Sequence, residues 1–241
     1  MTQGTLHCVG VGPGDPELMT VKAVRLLGAC PVIASFAKRG RLGHAREIAA
    51  GHLNPAAELL RFEYPWTTEI HATDPRYIAA LQGFYDDCAA TLADRLQGGA
   101  DVALLCEGDP FFYGSSMYLF DRLRGFATEI TPGVTGMSGC WAQARLPITH
   151  GDDVLTVLPG TLDQDSLAAR LSASDAAVIM KVGSNMPKVR AALAQAGLAA
   201  RAIYVERGTM AGTRTMPLAE LTDAPAPYFS MVLVAGRQRL R

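Results

Sequence analysis

The chain has 241 residues, 49% of them hydrophobic, and 22 Lys and Arg against 23 Asp and Glu give a net charge of −1. That balance excludes a general nucleic-acid binder, which needs a basic excess, and no apolar run approaches the roughly 18 residues of a membrane span. The length allows one large domain or two smaller ones.

In chain order, residues 6–9 read as an apolar strand that gives way at Gly10. Thr20 then caps a helix whose Val21, Val24 and Leu27 share one face. Residues 31–34 read as a strand, 43–50 as a helix, 59–62 as a short strand and 64–73 as a polar loop. Asp74-Pro75 opens a long helix, with Pro at its first position, and Gly98-Gly99 closes it. A strand over 101–106, a helix over 115–124 and a strand over 128–131 follow, then the turn Pro132-Gly133-Val134-Thr135-Gly136. The second half continues with strands at 154–158, 177–180 and 202–205 and helices at 162–171 and 187–196. The last strand, 228–234, follows only a short segment after 205, which predicts an antiparallel return. The expectation is an α/β protein of two domains, 1–114 and 115–241, the first sheet mostly parallel and the second mixed.

Two glycine-rich turns, Val9-Gly10-Val11-Gly12-Pro13-Gly14-Asp15-Pro16 and Glu107-Gly108-Asp109-Pro110-Phe111-Phe112-Tyr113-Gly114, each follow an apolar strand. Turns of this kind bare backbone groups at strand ends, where open α/β sheets bind ligands. A dinucleotide fingerprint fails because Asp15 stands where the third glycine should, and a Walker loop fails for want of Gly-Lys-Ser/Thr. Acidic Asp15 and Asp109 disfavour phosphates and suit a cationic, phosphate-free nucleoside such as S-adenosylmethionine. The alternative is a pair of ordinary tight turns.

On these residues the chain resembles the tetrapyrrole (class III) methyltransferases of cobalamin and sirohaem synthesis, over nearly its whole length. Besides the two glycine turns, the matching stretches are Thr131-Pro132-Gly133-Val134-Thr135-Gly136, Met180-Lys181-Val182-Gly183 and Val205-Glu206-Arg207-Gly208-Thr209. Within the family, four stretches are similar to the branch that methylates C20 of precorrin-2. They are Gly133-Val134-Thr135-Gly136-Met137-Ser138-Gly139-Cys140-Trp141, Gly151-Asp152-Asp153-Val154-Leu155, Val178-Ile179-Met180-Lys181-Val182-Gly183 and Pro227-Tyr228-Phe229-Ser230. The resemblance implies two α/β domains with S-adenosylmethionine in a cleft between them, S-adenosylhomocysteine as product, and a homodimer. It implies cofactor contacts at Pro13, Gly108, Asp109, Phe112, Thr135, Gly136, Val182, Gly208 and Thr209. In that set Asp109 binds a ribose hydroxyl or the ammonium, Thr135 offers a hydroxyl, and Val182 walls the adenine. The implied reaction is methyl transfer to C20 of precorrin-2, giving precorrin-3A. Cobalt-factor II, another tetrapyrrole carbon, or a non-catalytic carrier role stand as alternatives.

Such a transfer is an in-line displacement that alignment can largely drive, followed by loss of a proton to one weak base. Glu107, Asp109 and His150 are the candidates for that base, and none is assigned. A polycarboxylate tetrapyrrole needs local positive charge. Lys38-Arg39-Gly40-Arg41 with Arg46 is either that clamp or a solvated loop, and Arg76, Arg207 and Arg214 could add to it. Arg237, Arg239 and Arg241 read as a solvated tail. Phe111, Phe112 and Tyr113 wall the cofactor or fill core. The scattered Cys8, Cys30, Cys88, Cys106 and Cys140 suit buried free thiols in a reducing cytosol. They form no CxxC pair, and His7, His44, His52 and His71 lack ligand spacing, so no metal is expected. Met1-Thr2-Gln3-Gly4-Thr5 shows no secretory signal, and a cytoplasmic enzyme is expected.

Overall fold

The computed structural model describes residues 2–66, 74–222 and 226–236. The chain divides into two compact units, Met1–Thr135 and Gly136–Arg241.

In the first unit, β1 (Leu6–Gly10), β2 (Val32–Lys38), β3 (Glu58–Tyr64), β4 (Val102–Cys106) and β5 (Thr128–Thr131) form one parallel sheet in the order β3-β2-β4-β1-β5. Every residue of β1 and β4 is buried, as expected of strands covered on both faces. The two-residue period sorts their side chains. Leu6, Cys8, Val102 and Leu104 join the core that includes residues of α3 (Pro75–Gln97) and α4 (Ser116–Arg122). Val9, Ala103 and Leu105 join the core that includes residues of α1 (Val21–Ala29) and α2 (His44–Ala49). The expected caps are present. Thr20 Oγ1 accepts the Ala23 N–H at 3.1 Å, Asp74 Oδ1 accepts the Arg76 N–H at 2.8 Å, and α3 stops at Gly98 with Gly99 at φ +87°. Because all five strands run the same way, the loops that follow them share one edge of the sheet.

In the second unit, β6 (Leu155–Pro159), β7 (Ala176–Met180), β8 (Ala202–Glu206), β9 (Arg214–Pro217) and β10 (Ser230–Val234) form a mixed sheet in the order β6-β7-β10-β8-β9. The pair β6–β7 is parallel, and β10 returns antiparallel to both β7 and β8. One core gathers Ala177, Ile179, Tyr204 and Val232 with residues of α6 (Gln164–Ser172) and α7 (Met186–Gln195). The other gathers Val178, Val205 and Leu233 with Cys140 of α5 (Gly136–Gln143).

The structure departs from the sequence reading at several points. The units divide after Thr135 rather than near 114, because β5 pairs in parallel with β1 and so belongs to the first sheet. Helix α5 was not anticipated, since Gly136, Ser138 and Gly139 are weak helix formers. Nor was β9, a four-residue strand at the sheet's edge. The expected loop at 64–73 starts later, since Tyr64 ends β3. Its residues 67–73, with His71, lie outside the described residues, as do Arg237, Arg239 and Arg241. Among the described residues, no helix is long and apolar enough to cross a membrane.

Candidate active site

Three strand ends of the first unit meet backbone to backbone. The Val11 N–H donates to Cys106 O at 3.0 Å, and the Gly108 N–H donates to Gly12 O at 2.8 Å. A Cβ on Gly10 would lie 2.6 Å from Gly108 O, and one on Gly133 would lie 2.1 Å from the same oxygen. Gly12 and Gly108 also take φ of +83° and +67°, which side chains disfavour. Glycine is thus required where β1, β4 and β5 end, and the packed turns leave main chain bare of side chains. Gly10 and Gly133 were not among the expected contacts. The signal that could have found them is a glycine at or just beyond the carboxyl end of each of these strands.

The two loop acids serve their own backbone. Asp15 Oδ1 accepts the Glu17 N–H at 2.9 Å, and Asp109 Oδ1 accepts the Phe111 N–H at 2.9 Å. In both, proline follows the aspartate and has no N–H to offer, so the carboxylate bonds the next donor along. Asp109 goes further, its Oδ2 accepting the Gly133 N–H at 3.1 Å. A carboxylate has about four acceptor sites, which leaves Asp109 capacity for a ligand. Glu107, a candidate base, has Oε1 on the Ala45 N–H at 3.1 Å. It thereby caps α2, whose N-cap Gly43 has no side chain to do so.

The aromatic run after Asp109 is anchored from below. Ser116 Oγ donates to Pro110 O at 2.7 Å, and the Tyr64 and Tyr85 hydroxyls donate to Ser115 Oγ at 2.6 and 3.3 Å. Burial raises the pKa of the Tyr64 hydroxyl far above the usual phenol value. Phe111 packs edge-on against Phe120, and Phe112 against Tyr113, with centroids 5.0 and 5.1 Å apart. Tyr113 takes φ +56°.

In the second unit, Gly208 lies against α5, where a Cβ would come within 2.8 Å of Cys140 Sγ and 3.0 Å of Cys140 Cα. Gly136 opens the same helix. Strained backbone clusters in the loops after β7 and β8, with Lys181, Arg207 and Thr209 at φ +55°, +51° and +66°. Such outliers persist where surrounding structure enforces them and concentrate at ligand sites. The Arg207 N–H donates to Phe229 O at 2.7 Å. Beneath that loop the Tyr204 hydroxyl donates to Glu206 Oε2 at 2.6 Å and sits 3.0 Å from Ser230 Oγ.

The structure thus gathers Pro13, Gly108, Asp109, Phe112 and Thr135 in loops at one sheet edge of the first unit. Gly136, Val182, Gly208 and Thr209 belong to the second. The Val182 side chain, expected to wall the adenine, is fully buried in the core with residues of α6 and α7. His150 occupies an exposed turn, its N–H on Asp153 Oδ2 at 2.8 Å. Arg76 pairs with Asp74 at 2.8 Å and Arg214 with Glu206 at 3.4 Å, so both guanidiniums already have carboxylate partners.

The family model of the Tetrapyrrole (Corrin/Porphyrin) Methylases matches residues 5–222. Precorrin-2 C(20)-methyltransferase of Sinorhizobium sp is 53% identical, with 97% of this chain and 96% of that protein covered. Cobalt-precorrin-2 C(20)-methyltransferase of Salmonella typhimurium is 30% identical, with 96% of each covered. Among solved structures, a cobalt precorrin-4 methyltransferase superposes with a TM-score of 0.73 at 24% identity, covering 96% of this chain and 94% of that one. With a family model spanning most of its length and the same architecture in a solved relative, the chain belongs to the tetrapyrrole (corrin/porphyrin) methylase family.

Proposed function

We propose that the protein transfers the methyl group of S-adenosylmethionine to C20 of precorrin-2, giving precorrin-3A. The observation that carries this reading is the end-to-end identity of 53% to a precorrin-2 C(20)-methyltransferase, against 30% to its cobalt-dedicated counterpart.

The residues fit that donor. The turn glycines let three strand ends pack backbone to backbone with no side chain over their main chain, and the Asp109 carboxylate and the Thr135 and Thr209 hydroxyls are groups suited to ammonium and ribose. When bound, S-adenosylmethionine supplies a methyl group activated by a sulfonium. In this reading Pro13 and Gly108 let main chain approach the ligand, Phe112 gives an apolar contact, and Gly136 and Gly208 keep their loops clear of side chains. Val182 contributes its backbone. The task of these residues is to bind and align, which can supply much of the acceleration of a displacement between two bound reactants.

The enzyme is further proposed to be a cytoplasmic homodimer. Five free, buried cysteines suit a reducing compartment. The dimer rests on the family likeness, and light scattering should give about twice 25.6 kDa. The deciding experiment for the reaction supplies precorrin-2 and methyl-labelled cofactor, then locates the label by NMR. Label at C20 is expected. Label at another carbon, or turnover only of cobalt-loaded substrate, would overturn the assignment.

A further inference from the structure

Lys38 ends β2, and the chain then bends through an arch, 38–45, before entering α2. The arch is held at several points. The Arg41 N–H closes a turn on Lys38 O at 2.9 Å, and the Gly40 N–H donates to Glu63 Oε1 at 3.3 Å. The Ala45 N–H is held by Glu107 at 3.1 Å. Gly43 takes φ +87° and lies so close to Phe36 that a Cβ would sit 2.3 Å from its carbonyl oxygen. Because β2 neighbours β4 in the parallel sheet, this arch and the Gly108-Asp109 turn share one sheet edge, and Glu107 ties them together.

What the arch presents is positive charge. Arg61, Arg76, Arg95, Arg122, Arg124 and Arg214 each lie within 3.4 Å of a carboxylate. Arg39 and Arg41 are exposed and have no carboxylate partner among the described residues. The acids beside them are engaged. Glu63 holds the Gly40 N–H and pairs with Arg61 at 2.8 Å, and Glu107 caps α2. A backbone pinned this firmly is a poor description of a free surface loop. It reduces the ordering cost of binding, and it displays two guanidiniums suited to bidentate carboxylate contacts.

We propose that the arch 38–45 is the carboxylate-binding element for the tetrapyrrole, with Arg39 and Arg41 touching the substrate's side-chain carboxylates and Glu63 positioning the turn that carries them. The proposal rests on the tetrapyrrole reading above and names how that substrate is held.

Uroporphyrin III, a stable polycarboxylate macrocycle, serves as the probe, read by quenching of its fluorescence. R39Q/R41Q should bind it at least about tenfold more weakly, the loss of one or two charge-assisted hydrogen bonds, with affinity for S-adenosylhomocysteine unchanged. R39K/R41K should recover only part of the loss. Glu63→Ala should raise KM for precorrin-2 while leaving kcat in place. Arg170→Gln, at an exposed position of α6 in the second unit, is the control for general charge and should bind uroporphyrin as the wild type does. Wild-type affinity in R39Q/R41Q, or an equal loss in Arg170→Gln, would overturn the proposal. A protein that binds both ligands normally yet methylates no precorrin-2 would defeat the proposed reaction and leave the arch standing.

Discussion

Asp109 Oδ2 accepts the Gly133 N–H at 3.1 Å while its Oδ1 accepts the Phe111 N–H at 2.9 Å, so one side chain ties the turn after β4 to the turn after β5. Its expected role as a direct cofactor ligand is thereby joined by a role in holding the two turns together. Asp109→Ala frees two N–H groups, and a hydrogen bond to a charged group is worth about 1.5–3 kcal/mol at most, less where water can substitute. A loss of about 1–3 kcal/mol in stability is expected, together with at least about tenfold weaker binding of S-adenosylhomocysteine by calorimetry. Asp109→Asn, which keeps one acceptor oxygen, should fall between. Weaker binding with an unchanged melting temperature would assign the carboxylate to the ligand alone. No change in either would remove Asp109 from the site.

Glycine substitutions should have opposite signs in two places. Gly133→Ala puts a Cβ 2.1 Å from the Gly108 carbonyl oxygen. Both partners are backbone, so the turns must separate, and a loss of about 3 kcal/mol or more is expected. Gly83 lies within α3, and a Cβ there would meet nothing within 4 Å. Gly83→Ala should therefore stabilise by about 0.5–1 kcal/mol through helix propensity. Denaturant titration measures both. A neutral Gly133→Ala would mean that the packing of the three turns is loose.

The Phe111 to Tyr113 run is tied to a hydroxyl on the following helix. Ser116 Oγ donates to Pro110 O at 2.7 Å in a buried setting. Ser116→Ala should cost about 1 kcal/mol and weaken cofactor binding by less than Asp109→Ala does. An effect on affinity larger than that of Asp109→Ala would place Ser116 at the ligand itself.

The sheets were legible because their core strands are apolar along their length. Residues 6–9 and 101–106 could be read as buried strands from composition alone, and Thr20, Asp74 and Gly98 marked helix ends by local chemistry. Helix α5 was hidden because tertiary packing, with Gly208 lying on Cys140, overrides the poor helix propensity of Gly136 and Gly139. The domain boundary slipped because nothing local in Thr128–Thr131 says which sheet it will join. At the candidate site the glycines were legible as turns, but the side-chain partners were not. That Glu107 caps α2, 62 residues away in sequence, and that Val182 faces the core depend on register and packing, which no short motif encodes.

The buried thiols give a pH dependence of defined sign. Burial pushes Cys8, Cys88 and Cys106 up to about 12 and Cys140 up to about 11, from 9.0. The folded protein therefore holds these protons over a range in which the unfolded chain has lost them. Their contribution to stability is complete below about 9 and is lost as pH rises from there towards about 12. Tyr204, raised to about 12 from 10.0 by burial and its hydrogen bond to Glu206, acts in the same direction. The midpoint of urea unfolding should stay level with respect to these groups through neutral pH and fall above pH 9. In Cys88→Ala the alkaline slope should be shallower by about one proton, whatever the substitution does to the neutral-pH value. Native protein at pH 8 should react slowly with a thiol reagent, and all five cysteines should react once it is unfolded. Rapid labelling of the folded protein, or an alkaline slope identical in wild type and Cys88→Ala, would show that these sulfurs are not held neutral by the fold.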